Sequence, residues 1–244
     1  MDCVKILGVT IETGKRKELL EKCASMLGRG GAISTVNPEI LYDSINNVEL
    51  RAALLDSVCI PDGIGVEAVL KKRGVFTERF PGVELGEALL ESREVKLGII
   101  GGKDGVAEIA MQELVMRHGG VIPEFALSGY DINENAFISL LTERKPDIVF
   151  VCLGSPKQEI FIKRMRTHAP KTLFLALGGS VDIYSKEKKR APRAIRVIGC
   201  EWLFRMLSEP KRIARLPKII GFLKNVDKPR RIRGKIGKKL PKNH

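Results

Sequence analysis

Apolar residues in this 244-residue chain alternate between two patterns. Short, mostly apolar runs at residues 4–9, 32–36, 58–60, 95–100, 148–153 and 173–177 lead into glycine, proline or asparagine. Between them, residues 16–27, 48–55, 65–72, 85–91, 105–117, 134–144 and 157–167 carry apolar positions at helical spacing. Strand-length runs alternating with helices predict an α/β fold, a Rossmann-like, mostly parallel sheet with helices on both faces. The run Ile148-Val149-Phe150-Val151-Cys152-Leu153 is apolar throughout, as suits a strand covered on both sides. From Cys200 onward Trp202, Leu203, Leu207, Ile213, Leu216 and Phe222 are interspersed with Arg205, Arg212, Arg215, Lys218 and Lys224. This predicts a basic, amphipathic, helical C-terminal appendage over residues 196–244, following an α/β body over residues 1–195.

Charge sharpens that division. Lys and Arg number 42 against 29 Asp and Glu, and residues 186–244 hold 20 of the former and 4 of the latter. The body is therefore slightly acidic, which excludes a protein that coats nucleic acid over its whole surface. A cationic amphipathic tail suits an anionic membrane surface, where each nearby Lys or Arg contributes about 1 kcal/mol. The same charge could meet nucleic-acid phosphates, but no reading motif accompanies it, so no nucleic-acid partner is expected. Its apolar face could also pack on the body or in a homo-oligomer.

The five cysteines are widely spaced, without a CxxC, and Cys59 and Cys152 lie inside apolar runs. They read as buried thiols of a reducing compartment rather than disulfides or metal ligands. No apolar run approaches the roughly 18 residues of a membrane span, and the N-terminus does not read as a signal peptide. The expected location is cytoplasmic, peripheral to the inner face of the cell membrane.

In parallel α/β sheets ligands bind beyond the carboxyl ends of the strands. Here those ends read Ser34-Thr35-Val36-Asn37-Pro38-Glu39, Pro61-Asp62-Gly63-Ile64-Gly65, Gly101-Gly102-Lys103-Asp104-Gly105, Gly154-Ser155-Pro156-Lys157-Gln158-Glu159 and Gly178-Gly179-Ser180-Val181-Asp182. Glycine admits close backbone approach, and the following helix starts offer free N–H groups, so the repetition points to a phosphorylated or nucleotide ligand. Gly63-Ile64-Gly65-Val66-Glu67-Ala68 matches a dinucleotide pattern, but it follows earlier strands, and its acidic partner could only be Glu84 or Glu87 at a helix start. An NAD site is not expected.

These blocks, with Arg79-Phe80-Pro81-Gly82-Val83-Glu84-Leu85, Arg190-Ala191-Pro192, Glu201-Trp202-Leu203-Phe204-Arg205 and Glu209-Pro210-Lys211-Arg212, resemble in order and spacing the WecG/TagA/CpsF family of bacterial glycosyltransferases. The resemblance implies inverting transfer of an N-acetylhexosamine, typically N-acetylmannosamine, from a UDP-sugar donor to a polyprenyl-diphosphate-linked acceptor, undecaprenyl-diphosphate-N-acetylglucosamine. It also implies that the appendage folds over the catalytic body at the membrane.

Such a transfer needs a base for the acceptor hydroxyl and positive charge for the departing diphosphate. Asp62, directly after a strand and beside two glycines, is the candidate base, with capping of the next helix as its alternative. Thr35 and Asn37 read either as helix caps or, through the resemblance, as donor or acceptor positioners. Arg79, ahead of a Pro-Gly turn, suits a phosphate contact. Gln158 and Asp182 suit an uncharged uridine, with Gly178 and Gly179 admitting it to the backbone, while an exposed first-turn position is the alternative for Gln158. The chain has no DxD motif and no metal-ligand spacing, so neither a metal nor another cofactor is expected. Arg205, Arg212 and Arg215 are assigned to the diphosphate by the resemblance. Val181 and Ile183-Tyr184 depart from the family's Gly-Gly-Ser-Phe-Asp block and the small residues after it, which bears on donor identity. The reading from another functional class is a non-catalytic nucleotide-binding module recruited to membrane or nucleic acid by its tail.

Overall fold

The computed structural model describes residues 2–91 and 93–227. The described residues form eight strands: β1 (Asp2–Ile6), β2 (Val9–Thr13), β3 (Gly31–Val36), β4 (Val58–Pro61), β5 (Val95–Gly101), β6 (Val121–Leu127), β7 (Ile148–Cys152) and β8 (Leu173–Ala176). The helices of the body are α1 (Arg16–Ala24), α2 (Pro38–Asp43), α3 (Val48–Leu55), α4 (Ile64–Lys72), α5 (Gly82–Leu90), α6 (Val106–Arg117), α7 (Glu134–Arg144), α8 (Lys157–Met165) and α9 (Ser180–Tyr184). Then follow α10 (Arg193–Val197), α11 (Glu201–Ser208), a 3-10 turn (Pro210–Arg215) and α12 (Leu216–Asn225).

The main sheet has six strands in the order β4-β3-β8-β7-β5-β6. Every neighbouring pair in it is parallel, as the apolar runs imply. Alternate side chains divide the core. Ile148, Phe150 and Cys152 of β7 join the cluster under α5, α6 and α9, and Val149 and Val151 join the one under α7 and α8.

Two expectations are corrected. The run at residues 4–9 is not one strand: Leu7 and Gly8 have φ of 50° and 81° and turn the chain into the antiparallel β1–β2 hairpin. Two central residues with positive φ mark a turn whose twist suits a hairpin. Leucine is not a turn residue; its burial within the cluster formed by the hairpin, α2, α3 and α4 offsets the strained backbone. The second correction is β6, which the pattern missed because Pro123 and Glu124 interrupt it. It is an edge strand whose register against β5 shifts between Leu97 and Gly98, so Pro123 costs the central ladder nothing.

The segment after Pro192 returns over the carboxyl ends of the strands. Phe222 is fully buried and, with Val226, belongs to the same cluster as Val36, Ile40 and Leu41. Gly221 lies so close to the Tyr42 ring that a Cβ there would be 2.4 Å from it, and Lys218 pairs with Asp43 at 2.6 Å. The basic residues from Lys228 to Lys242, expected to extend the tail, lie outside the described residues.

Candidate active site

β5 leads through α6 outward to β6, whereas β7 leads through α8 in the opposite direction to β8. Helices diverging to opposite faces leave a crevice beyond these strand ends. A cavity of about 800 Å³ occupies this end of the sheet, lined by Gly102, Lys103, Gly154, Gln158, Gly178, Gly179 and Asp182. A second, of about 650 Å³, lies between the starts of α4 and α5 and the returning C-terminal segment. Asn37, Glu39, Asp62, Arg205, Arg212 and Arg215 line both.

Asp62 follows the last residue of β4, and its N–H donates to the Val36 carbonyl at 2.8 Å. Gly63, at φ 82°, caps α4 with no side-chain bond, so capping is not what Asp62 does. Its carboxylate accepts no hydrogen bond from the described residues. Burial pushes its pKa up to about 6; Arg205 and Arg79 oppose the rise, while Glu201 and Glu84 add to it. An unengaged carboxylate with such a pKa, inside a cleft, has the properties of a proton acceptor near neutral pH.

Around it, Thr35 is buried, lines the larger cavity and donates its hydroxyl to the Ala176 carbonyl at 3.1 Å, tying β3 to β8. Asn37 caps α2, its Oδ1 accepting from the Ile40 N–H at 3.1 Å with Pro38 in the first turn. The residue lines both cavities. Arg79 donates to the carbonyls of Arg196 and Val197 at the end of α10 and lies 3.9 Å from Glu67. It binds the C-terminal segment to the body while lining the smaller cavity.

Gln158 is 2% exposed, which removes the solvent-facing alternative. Its Oε1 accepts from the Gly178 N–H at 2.8 Å and its Nε2 donates to Glu159 at 2.9 Å, so it fixes the loop after β8. Burial raises the pKa of Glu159. Gly179 precedes α9, and Asp182 pairs with Lys188 at 2.7 Å. Lys188 also approaches Glu209 at 3.5 Å, connecting this corner to the end of α11. Val181 and Tyr184 are buried, and the Tyr184 hydroxyl donates to the Val83 carbonyl at 2.9 Å. Tyr184 thus serves packing between α9 and α5.

The three expected arginines reach the junction in ion pairs: Arg205 with Glu201 at 2.9 Å, Arg212 with Glu209 at 3.1 Å and Arg215 with Glu39 at 3.4 Å. Burial raises the Glu39 pKa, opposed by Arg215, Arg212 and Lys218. Sequence reasoning missed a second group. Glu84 receives Arg16 at 2.6 Å, Arg190, and Arg196 at 3.3 Å. The three-residue spacing of Arg190, Arg193 and Arg196 was the available signal, and all three line the smaller cavity. Among the described residues no three His, Cys, Asp or Glu side chains form a group that could hold a metal ion, and no helix is long and apolar enough to cross a membrane.

A family model described as "Glycosyl transferase WecG/TagA/CpsF family" matches residues 4–234. Similar proteins include the N-acetylglucosaminyldiphosphoundecaprenol N-acetyl-beta-D-mannosaminyltransferases of Staphylococcus aureus strains MW2 and MRSA252. Each is 29% identical over 237 residues, covering 93% of this chain and 93% of the relative.

Proposed function

The chain belongs to the WecG/TagA/CpsF family of glycosyl transferases, and we propose that it transfers N-acetylmannosamine, with inversion, from a UDP-sugar to undecaprenyl-diphosphate-linked N-acetylglucosamine in cell-surface polymer synthesis. The activity for which the similar staphylococcal proteins are named supports the sugar and acceptor. The observation that carries the chemistry is Asp62, unengaged and with its pKa raised to about 6, where the two cavities meet a cluster of arginines.

Asp62 takes the proton of the acceptor hydroxyl as that oxygen bonds to the anomeric carbon from the face opposite UDP. The bond from that carbon to the UDP oxygen breaks, and its electron pair leaves on the diphosphate. Arg205, Arg212 and Arg215 meet the charge that develops there, an electrostatic role that needs no bound metal. Thr35 and Asn37 position the sugars, and Arg79 helps hold the segment that carries the arginines. The uridine takes the crevice of Gln158, Gly178, Gly179 and Asp182, where Lys188 must share Asp182 with the nucleotide.

Residues 1–195 form the catalytic unit in this reading, and residues 196–244 its membrane-facing appendage on the cytoplasmic side. Val197, Ile198, Leu203 and Leu207 are exposed, which suits docking to an anionic membrane or, off the membrane, to a second copy. The test is UDP release from a panel of UDP-sugars with a short-chain prenyl-diphosphate-N-acetylglucosamine acceptor and EDTA present. Turnover with UDP-N-acetylmannosamine, abolished in Asp62→Asn with UDP binding intact, is the expected result. UDP binding without turnover of any donor would instead favour a nucleotide-binding module.

A further inference from the structure

The smaller cavity combines two surfaces of opposite character. Its mouth carries Val197, Trp202 and Leu223, exposed by 72%, 45% and 56%. Its wall carries more positive charge than its carboxylates can balance. Glu84 alone receives three guanidinium groups, those of Arg16, Arg190 and Arg196. The buried Nε–H groups of Arg190 and Arg196 meet no hydrogen-bond acceptor. Arg193 lines the same cavity and makes no ion pair or side-chain hydrogen bond with the described residues.

Buried guanidinium donors without acceptors imply an anion that the chain does not itself supply. An apolar mouth beside them implies that the anion is joined to a hydrocarbon. Asp62 lines the same cavity, so a molecule with an apolar chain, a diphosphate and a sugar would place its three parts at the mouth, the arginines and the base. We infer that Arg193, with Arg190 and Arg196, forms a diphosphate site for the prenyl-linked acceptor, separate from the arginines that serve the nucleotide diphosphate. Arg190 and Arg196 are preset by Glu84, and Arg193, without a carboxylate partner among the described residues, engages the ligand. The identity of the ligand as an acceptor rests on the transferase reading; the diphosphate site itself rests on the cavity.

The test uses the full chain and geranyl diphosphate, a short-chain probe that needs no membrane, measured by calorimetry with and without saturating UDP. Geranyl diphosphate should bind in both conditions. Arg193→Ala should weaken it about tenfold and Arg193→Lys less, with UDP affinity unchanged. In turnover, the same variants should raise KM for the short-chain acceptor and leave KM for the donor. Displacement of geranyl diphosphate by UDP, an equal loss of UDP affinity in Arg193→Ala, or unchanged geranyl diphosphate binding in that variant would overturn the assignment. So would an effect seen only on phosphatidylglycerol vesicles, which would give Arg193 to lipid headgroups. If no UDP-sugar turns over yet Arg193→Ala still weakens geranyl diphosphate, the transferase reading fails and the site stands.

Discussion

Asp62 illustrates how a carboxylate is made useful at a thermodynamic cost. Its pKa is raised from 3.8 to about 6 chiefly by burial, so between those values the folded chain holds more of its proton than the unfolded chain. Stability therefore falls as pH rises across that window and stays lowered at neutral pH, by roughly 3 kcal/mol at about 1.4 kcal/mol per pH unit. Asp62→Asn is expected to raise Tm by a few degrees while lowering kcat about 10²-fold or more, read by calorimetry and UDP release. The native enzyme should lose kcat/KM about tenfold per unit below pH 6, the limb expected of a base with that pKa. Gln158 should behave in the opposite way. Its removal leaves the Gly178 N–H without its acceptor and takes one donor from the buried Glu159, so Gln158→Ala should cost about 1–3 kcal/mol in denaturant unfolding and weaken UDP binding as well.

At the scale of elements, the C-terminal segment is held by two unlike attachments. Arg79 takes the carbonyls at the end of α10, a cation on the negative end of a helical turn, whereas α12 inserts Phe222 into the body's core. Deleting a buried phenylalanine ring costs about 3–5 kcal/mol where the site cannot collapse. Phe222 is the buried side chain of α12, whose other residues are half-buried or exposed, so Phe222→Ala should release it instead of unfolding the sheet. The expected result is rapid proteolytic cleavage after residue 215 with a protected body, and reduced turnover because the 3-10 turn that carries Arg212 and Arg215 loses its anchor on the body.

For the whole molecule, the relevant quantity is the separation of charge. A net charge of +13 concentrated in the C-terminal quarter predicts binding to vesicles that contain anionic lipid, weakening steeply between 50 and 500 mM salt, and little binding to neutral vesicles. Co-sedimentation across lipid composition and salt reads this directly. Loss of sedimentation on deleting residues 228–244 with short-chain acceptor turnover retained would separate attachment from chemistry.

The parallel α/β body was legible because burial on both faces leaves little freedom of composition: the run from Ile148 to Leu153 can scarcely be anything but a central strand. The strand ends were legible as cleft lining, since the glycines that follow the apolar runs, Gly102, Gly154, Gly178 and Gly179, border the larger cavity. The Leu7-Gly8 turn and the edge strand at Pro123 were hidden because tertiary packing overrode local propensity at both. What only the fold decided is who faces whom. Sequence order alone could place Asp62, Gln158 and Arg205 near strand ends or on an amphipathic helix, but it left capping or exposure open for the first two. The close approach of residues 190–223 to those strand ends sets Asp62 among arginines, raises its pKa by burial, and brings Arg190 and Arg196 to Glu84. Those properties come from desolvation and from Coulomb interactions, several of them between residues over 100 positions apart such as Asp62 with Arg205 and Glu84 with Arg190, and a one-dimensional pattern carries no record of such distances.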